Sequence, residues 1–208
     1  DLFSVIPAEL RPKSFAVPEG KSEFEVTEYL SRLAAKNAVH LINFVGGGFY
    51  DHFIPAAVDA IVSRSEFVTA YTPYQPECSQ GWLQALYEYQ TFICELTDLD
   101  VANASLYDGG TALYEACLMA IRLTGRNRIV MDSGVSLIYR TMLHTYTSNL
   151  SIEFVEVPVE GMRTSREQFF RQIDDRTAAV VLQNPNFFGT VDNHSDIVEE
   201  AHRHGALA

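Results

Sequence analysis

The feature that most constrains the fold is a regular alternation of apolar strands and helices after residue 127. Three short segments have the length of strands: residues 128–131 and 178–183 are mainly apolar, and residues 152–157 alternate between apolar and polar. Helical patterns follow them, at residues 136–147, after a capping-box sequence at 164–167, and at residues 196–204, before Gly205. Alternation at this spacing predicts an α/β domain with a mostly parallel sheet, helices on both faces and right-handed crossovers.

The ends of these predicted strands are where a ligand would bind. In open parallel sheets, ligands lie beyond the carboxyl ends of the strands. Polar or rigid residues stand there: Asp132-Ser133, Pro158 and Asn184-Pro185-Asn186. Residues 206–208 resemble the opening of a further strand, so we expect the chain to be part of a longer protein, with a large domain that is incomplete at its C-terminus. A partner that covers the exposed sheet edge is the alternative.

A glycine-rich turn precedes the most apolar helix of the chain. Residues 112–123 are apolar almost all round, which predicts a helix buried on every side. Gly109, Gly110 and Thr111 come directly before it, and free N–H groups at a helix N-terminus favour a phosphate. A simple tight turn is the alternative, because neither GxGxxG nor GxxxxGK is present here.

The first part of the chain predicts an extended arm and two further helices. Residues 1–45 read as an arm with one helix, which begins at a capping box from Ser22 to Glu25, and residues 46–208 as the large domain. A later helix should begin at Ser79 and run to about residue 96. Its apolar residues predict a buried stripe: Leu83, Leu86, Tyr87, Ile93 and Leu96.

Composition excludes several classes of partner. The formal net charge is −12, with 27 acidic and 15 basic residues, which argues against nucleic acid or an anionic membrane surface. No apolar run is long enough to span a bilayer. The three cysteines show no CxxC spacing, and Cys94 and Cys117 fit helices as buried free thiols in a reducing compartment. We predict a cytoplasmic protein without a metal site.

Two loops supply candidate binding residues. Prolines and tyrosines make residues 71–77 a stiff segment with its polar groups held outward, where Tyr71, Tyr74, Gln75 and Glu77 could line a site or a subunit contact. Tyr50 and His52 follow a run of three glycines, which indicates either a flexible crossing loop or a phosphate loop. His52 could form an acid–base pair with the neighbouring Asp51, although a lone histidine more often packs.

Several of these runs resemble the glycine cleavage system P-protein family over about residues 2–208. They are YTPYQPE at 71–77, SQG at 79–81, EYQT at 88–91, DVANAS at 100–105, YDG at 107–109 and QNPNFFG at 183–189. More narrowly, they are similar to subunit 1, the N-terminal half, of the two-subunit form. One departure concerns Ser136-Leu137-Ile138, because the family has His-Pro-Glu before the Tyr-Arg pair. The lost histidine would stack on a pyridine ring in the halves of the family that bind the cofactor.

The resemblance implies a fold type I pyridoxal-phosphate enzyme, active as a heterotetramer. It decarboxylates glycine and passes the aminomethyl group to the lipoyl arm of H-protein. A pyridoxal enzyme holds its cofactor on a lysine, and the only lysines here are Lys13, Lys21 and Lys36. The resemblance therefore implies that subunit 2 carries the lysine and the cofactor. This chain would have no catalytic residue of its own, would be inactive in isolation, and would keep Gly109, Gly110 and Thr111 as a degenerate phosphate cradle.

The same resemblance implies that the chain forms one wall of the partner's active site. Tyr71, Tyr74, Gln75 and Glu77 are then expected to bind glycine or the cofactor's periphery by hydrogen bonds, with Tyr50 and His52 as further candidates. A catalytically inert scaffold or regulatory homologue is the alternative function. A nucleotide-binding domain is a third possibility, but it would need a glycine fingerprint after the first strand, and none is present.

Overall fold

The computed structural model describes residues 2–46, 50–68 and 72–208, which belong to two compact units, Asp1–Val45 and Gly46–Ala208. The first unit contains one 3-10 turn, Ala8–Leu10, and helix α1, Glu23–Ala34. α1 begins at the predicted capping box, which is confirmed. The Ser22 hydroxyl accepts a hydrogen bond from the Glu25 N–H at 3.3 Å, and the Glu25 carboxylate accepts one from the Ser22 N–H at 2.8 Å.

The second unit is an α/β domain. Its helices are α2 (Ala56–Val62), α3 (Ser65–Val68), α4 (Gln80–Thr97), α5 (Gly109–Thr124), α6 (Leu137–Tyr146), α7 (Arg166–Gln172) and α8 (Ser195–Arg203). Its strands are β1 (Arg128–Asp132), β2 (Glu153–Val157), β3 (Val159–Glu160), β4 (Arg163–Thr164) and β5 (Thr177–Val181). In the described part of the chain, none of the helices combines the length and the apolar composition that a membrane crossing requires.

The main sheet has the strand order β2-β1-β5, and both of its strand pairs are parallel, as predicted. Leu207 extends this sheet beyond β5. It forms a parallel bridge with Ala179, donates its N–H to Ala178 O at 2.9 Å and accepts the Val180 N–H at 2.8 Å. Strands β3 and β4 form a small antiparallel hairpin that follows β2.

Helices cover both faces of the sheet, so the layered architecture is confirmed. Every residue of β1 and β5 is buried, as expected for central parallel strands. On one face, Ile129 and Met131 pack with Cys117 of α5 and Leu143 of α6. On the other face, the core is built from β1, β2 and β5 with α7 and α8: Val130, Val157, Val180, Phe169, Ile197 and Ala201.

Helix α5 is buried on one side only, so the prediction of a helix buried all round is wrong. Gly110, Cys117 and Ala120 are buried, whereas Met119 and Leu123 are 51% and 70% exposed. The reason is that α5 packs against α6 and the sheet through a single face. An apolar composition all round does not by itself show how many neighbours a helix has.

Helix α4 has the predicted length but not the predicted buried stripe. None of its residues is buried, and Tyr87 and Leu96 are 69% and 81% exposed. α4 contributes no residue to either core cluster, which explains the exposure. Cys94 is accordingly only half-buried, whereas Cys117 is buried as predicted.

The capping box predicted at residues 164–167 does not form. Ser165 occupies the N-cap position of α7 but makes no side-chain capping bond. Its hydroxyl instead donates to Glu160 at 2.8 Å, and the Thr164 hydroxyl donates to the buried carboxylate of Asp132. Two carboxylates outside the helix thus bind the hydroxyls that the capping box would use.

Candidate functional site

The N-terminus of α5 is capped by the chain's own carboxylate. Asp108 Oδ1 accepts hydrogen bonds from the Thr111 N–H at 2.7 Å and from the Thr111 hydroxyl at 2.8 Å. The backbone N–H of Thr111, followed by its hydroxyl, holds the pKa of Asp108 below its usual range. A carboxylate therefore already lies where the helix dipole and free N–H groups would attract an anion.

The two glycines of this turn lie directly against α6. A Cβ placed on Gly109 would come within 2.5 Å of the Tyr139 hydroxyl oxygen. One on Gly110 would come within 2.5 Å of Met142 Sδ. A side chain at either position would force Tyr139 or Met142 to shift, so glycine is what allows the two helices to pack this closely. The same two side chains cover the turn on the side of α6.

The second unit does not fit pyridoxal phosphate. Lys13, Lys21 and Lys36 all belong to the first unit, and residues 46–208 contain no lysine. An imine with the cofactor requires an amine, and the phosphate requires free donors. The second unit supplies no lysine amine, and the N–H of Thr111 at the expected cradle is already bound by Asp108.

A buried polar cluster lies at the carboxyl end of β1. Asp132 is fully buried, and its Oδ1 accepts the Gly134 N–H at 2.8 Å while Oδ2 accepts the Thr164 hydroxyl. A Cβ on Gly134 would come within 3.2 Å of both Asp132 Oδ2 and Asn186 Nδ2. The sequence placed Asp132 and Asn186 after predicted strands, but it gave no sign that Thr164 joins them, because Thr164 lies in the β3–β4 hairpin and not in the main sheet.

Asn186 joins three loops at this edge of the sheet. Its Nδ2 donates to Met162 O at 2.8 Å, and its Oδ1 accepts the N–H groups of Phe188 and Thr190, each at 3.0 Å. Nearby, the Phe187 N–H donates to Gly134 O at 2.8 Å. Buried amide and carboxylate groups with this many partners fix the loops rigidly.

The turn into α6 is fixed by polar contacts that the sequence did not reveal. The Ser136 N–H donates to Gln183 Oε1 at 2.8 Å, and Arg140 Nε donates to Val135 O at 3.1 Å. The guanidinium of Arg140 also pairs with Glu156, whose other oxygen lies 2.9 Å from His144 Nε2. Burial is the largest single effect on the pKa of Glu156 and raises it, but the interactions with His144 and Arg140 together outweigh burial and hold this pKa below its usual value.

The predicted wall residues are exposed and are not brought together. Tyr74 and Tyr50 are 84% and 65% exposed, and His52, Gln75 and Glu77 are exposed as well. Tyr71 lies outside the described residues. Among the described residues, no hydrogen bond joins the side chains of these candidates to one another, and none joins His52 to Asp51. The described chain therefore does not assemble a complete site from them.

Glu77 lies at one end of an open groove along α4. The groove is lined by one face of the helix and the turn before it: Pro76, Glu77, Gln80, Leu83, Gln84, Tyr87, Glu88 and Thr91. Within it, Gln84 Nε2 donates to Glu88 Oε1 at 2.8 Å. In the described residues, no cluster of three or more histidine, cysteine, aspartate or glutamate side chains has a geometry that could hold a metal ion.

Comparison with known families decides what the chain is. A family model described as the glycine cleavage system P-protein matches residues 1–208, the whole chain. The chain belongs to the glycine cleavage system P-protein family. The resemblance inferred from residues 71–81 and 183–189 is thereby confirmed.

The relatives of this P-protein chain are longer than the chain itself. It is 57% identical over 208 residues to the probable glycine dehydrogenase (decarboxylating) subunit 1 of Maridesulfovibrio salexigens, covering 100% of the chain and 47% of that relative. It is 55% identical to the protein of the same name from Geotalea uraniireducens, covering 99% of the chain and 46% of the relative. The chain thus spans about half the length of the curated relatives it matches.

A solved structure confirms the fold. The inhibitor-bound glycine decarboxylase (P-protein) of the glycine cleavage system superposes with a TM-score of 0.92 at 45% sequence identity. The match covers 99% of this chain and 46% of that one. The predicted α/β architecture, with a mostly parallel sheet, is therefore that of a P-protein.

Proposed function

We propose that this chain is part of subunit 1 of a glycine decarboxylase. In this proposal it helps to form the site where glycine loses CO2 and its aminomethyl group passes to the lipoyl arm of H-protein. The observation that carries the proposal is the match of the whole chain to the P-protein family, with the same fold at a TM-score of 0.92. Relatives that are more than half identical bear the name of subunit 1 of this enzyme.

We further propose that the cofactor, pyridoxal phosphate, is carried by subunit 2. The second unit of this chain lacks a lysine, and Asp108 binds the N–H of Thr111 that a phosphate would need. Gly109, Gly110 and Thr111 then serve to pack α5 against α6 and not to bind the cofactor. The reaction would take place in the cytoplasm, where the free thiols of Cys78, Cys94 and Cys117 stay reduced.

The contribution of this chain would be one wall of the partner's site. Tyr71, Tyr74, Gln75 and Glu77 belong to one stiff segment, in which Tyr74, Gln75 and Glu77 are exposed. Tyr50 and His52 are proposed as further members of the same wall. Phenol and amide groups in these positions can hydrogen-bond the glycine carboxylate or the cofactor's periphery without transferring a proton. A hydrogen bond to a charged group contributes about 1.5–3 kcal/mol.

The test is reconstitution of the whole protein with subunit 2, followed by measurement of glycine–bicarbonate exchange. Tyr74→Phe and Gln75→Ala should each lower the exchange rate at least about tenfold, which corresponds to about 1.4 kcal/mol. Tyr89→Phe on α4 and Gln168→Ala on α7 are matched controls outside the proposed wall and should leave exchange unchanged. Full activity of both test variants would contradict the wall and favour a scaffold without a role in the chemistry.

A further inference from the structure

Helix α8 ends in a Schellman turn that leads directly into the sheet. His204 is its C-cap residue, and Gly205 follows in the left-handed conformation, with φ +67°. The Gly205 N–H donates to His202 O and the Ala206 N–H to Ala201 O, each at 2.9 Å. The residue after Ala206 already pairs with β5. His204 therefore lies at the joint between a helix and the strand position that follows it.

The imidazole of His204 lies between two carboxylates from different parts of the fold. Its Nδ1 lies 2.8 Å from Asp175 Oδ1, in the loop between α7 and β5, and its Nε2 lies 3.4 Å from Glu200 Oε1, one turn earlier on α8. A neutral imidazole carries an N–H on one nitrogen only, whereas the protonated ring carries one on both and a positive charge as well. The ring can therefore attract both carboxylates only when it is protonated.

Two arginines lie at the same joint. Arg126, in the turn before β1, donates from Nη1 to Thr177 O and to His204 O, each at 2.8 Å. Arg203 pairs with the second oxygen of Glu200. Both guanidinium groups oppose a positive charge on the ring, the first by repulsion and the second by partly neutralising Glu200.

The carboxylates favour the charged ring. The hydrogen bond between His204 and Asp175 is the largest effect, and with the charges of Asp175 and Glu200 it raises the pKa of His204 against the opposing effect of burial. Asp174 and Arg176, on either side of Asp175, pair with each other at 2.8 Å. The His204 side chain is 33% exposed, so water and salt weaken its ion pairs but do not remove them.

We propose that His204 forms a pH-sensitive clamp between the end of α8 and the loop before β5. The protonated ring joins Asp175 to Glu200 and holds the turn into the sheet, whereas the neutral ring can donate to only one of them. Because the folded-state pKa of His204 is raised, its charge adds stability in full below the ordinary value of 6.5 and loses it as the pH rises through the raised pKa. The clamp uses contacts within this chain alone and does not depend on the proposed function.

The first measurement is an NMR titration of the whole protein that contains this chain, with isotope-labelled histidine. The signal that is missing from His204→Gln belongs to His204. Its midpoint should lie above 6.5 and should fall in Asp175→Asn, which removes the carboxylate that makes the closer contact. A midpoint at or below 6.5, or one that Asp175→Asn leaves unchanged, would overturn the proposal.

The second measurement is amide hydrogen exchange of residues 204–207, expressed as protection factors so that the intrinsic dependence on pH and sequence is removed. Glutamine at position 204 keeps a hydrogen-bond donor but cannot become charged. His204→Gln should therefore lower protection at pH 6 by about twofold or more, as expected for partly exposed ion pairs, and should lower it less at pH 9. Equal losses at the two pH values, or no loss at pH 6, would refute the clamp.

His202→Gln is the matched control on the same helix. His202 is exposed, and within the described part of the chain its side chain forms no hydrogen bond or ion pair. This variant should leave the protection of residues 204–207 unchanged at both pH values. A loss at pH 6 as large as that of His204→Gln would assign the effect to the charge of the helix in general, and would also contradict the clamp.

Discussion

The carboxylate of Asp108 accepts two hydrogen bonds from Thr111 at the start of α5, at 2.7 and 2.8 Å. The charge is also placed at the positive end of the helix dipole. The backbone N–H and then the hydroxyl of Thr111 stabilise the ionised form, which is why the pKa of Asp108 is lowered. In the unfolded chain neither partner is fixed, so the difference in pKa links the stability of the protein to pH.

Asp108→Asn should reveal this linkage. Asparagine is also a good N-cap, so the variant should keep most of the capping but lose the charge. Because the folded-state pKa of Asp108 is lowered, its ionised form adds stability above the ordinary value of 3.8. That added stability should be full above this pH and shrink as the pH falls below it. Urea unfolding of the protein and the variant from pH 7 to pH 3 measures the difference.

A difference that stays constant over this range would show that Asp108 is not held ionised by its partners. Asp108→Ala provides the control for capping itself, since alanine cannot accept the Thr111 hydrogen bonds. It should be less stable than Asp108→Asn at every pH in the range.

Thr164→Val tests the buried polar cluster around Asp132 at the carboxyl end of β1. Valine has the shape of threonine but no hydroxyl, so one oxygen of the fully buried Asp132 loses its donor. Leaving a buried acceptor without its partner costs about 1–3 kcal/mol, which urea unfolding should show as a lower free energy of unfolding. Thr145→Val on α6 is the control: its hydroxyl donates to Thr141 O at the surface, and its loss should cost less than about 0.5 kcal/mol.

At the residue scale, the sequence predicted where polar groups stand but not which of them bind one another. Asp132 and Asn186 could be placed at the carboxyl edge because each follows an apolar strand. Thr164 could not, because two partners compete for its hydroxyl. One is a local capping box, and the other is the carboxylate of Asp132, 32 positions away along the chain. A local sequence pattern cannot predict which partner the hydroxyl binds, because Asp132 comes close to Thr164 only in the folded protein.

At the scale of the elements, helices α5 and α6 can contact each other because Gly109 and Gly110 have no side chains. A methyl group on Gly110 would lie 2.5 Å from Met142 Sδ and 2.8 Å from its Cε. Gly110→Ala should therefore lower the free energy of unfolding by about 1–3 kcal/mol, as expected for overpacking. Combining it with Met142→Ala should make the effect of Gly110→Ala smaller than in the native background, and a double-mutant cycle of urea unfolding measures this.

Gly81→Ala on α4 is the matched control and should have the opposite sign. No atom lies within 4 Å of the position that a Cβ on Gly81 would take. Alanine favours the helix over glycine by about 0.8–1.0 kcal/mol, so this variant should be more stable. Equal effects of the two substitutions would show that helix propensity, and not contact with α6, governs Gly110.

The elements of the sheet were the most predictable part of the fold. Residues 129–131 and 178–182 are continuously apolar because both faces of their strands are covered, and the structure confirms parallel strands at both places. The stripe of α4 was mispredicted for the converse reason. The periodicity of apolar residues indicates which face of a helix could be buried. Neither core cluster of the described residues includes a residue of α4, so the face with Tyr87 and Leu96 stays exposed.

At the scale of the whole molecule, the core of the described residues lies in the second unit. Within residues 2–46, 50–68 and 72–208, every buried hydrophobic residue falls between Cys117 and Ala206. Deletion of residues 1–45 from the isolated protein should therefore cost less than about 1 kcal/mol and shift the thermal midpoint by less than about 2–4 °C. Scanning calorimetry checks this. A larger fall would place the exposed phenylalanines of the first unit against the protein's own chain and not against a partner.

The candidate wall was predictable only as a set of residue types. Family resemblance pointed to Tyr74, Gln75 and Glu77, and the described chain leaves all three exposed without joining them. Under the proposed function subunit 2 completes this site, so contacts among these residues within the one chain are not expected. Its geometry therefore cannot be read from this sequence or from this fold alone.

The carboxylate that caps α5 is part of the chain, whereas a bound cofactor is not. A phosphate ester such as pyridoxal phosphate can dissociate from a protein, and its occupancy falls when its concentration is low. A carboxylate tethered three positions from its hydrogen-bond donor cannot diffuse away. Under the proposed function, in which subunit 2 carries the cofactor, the start of α5 would therefore stay capped whether or not the partner has bound its cofactor.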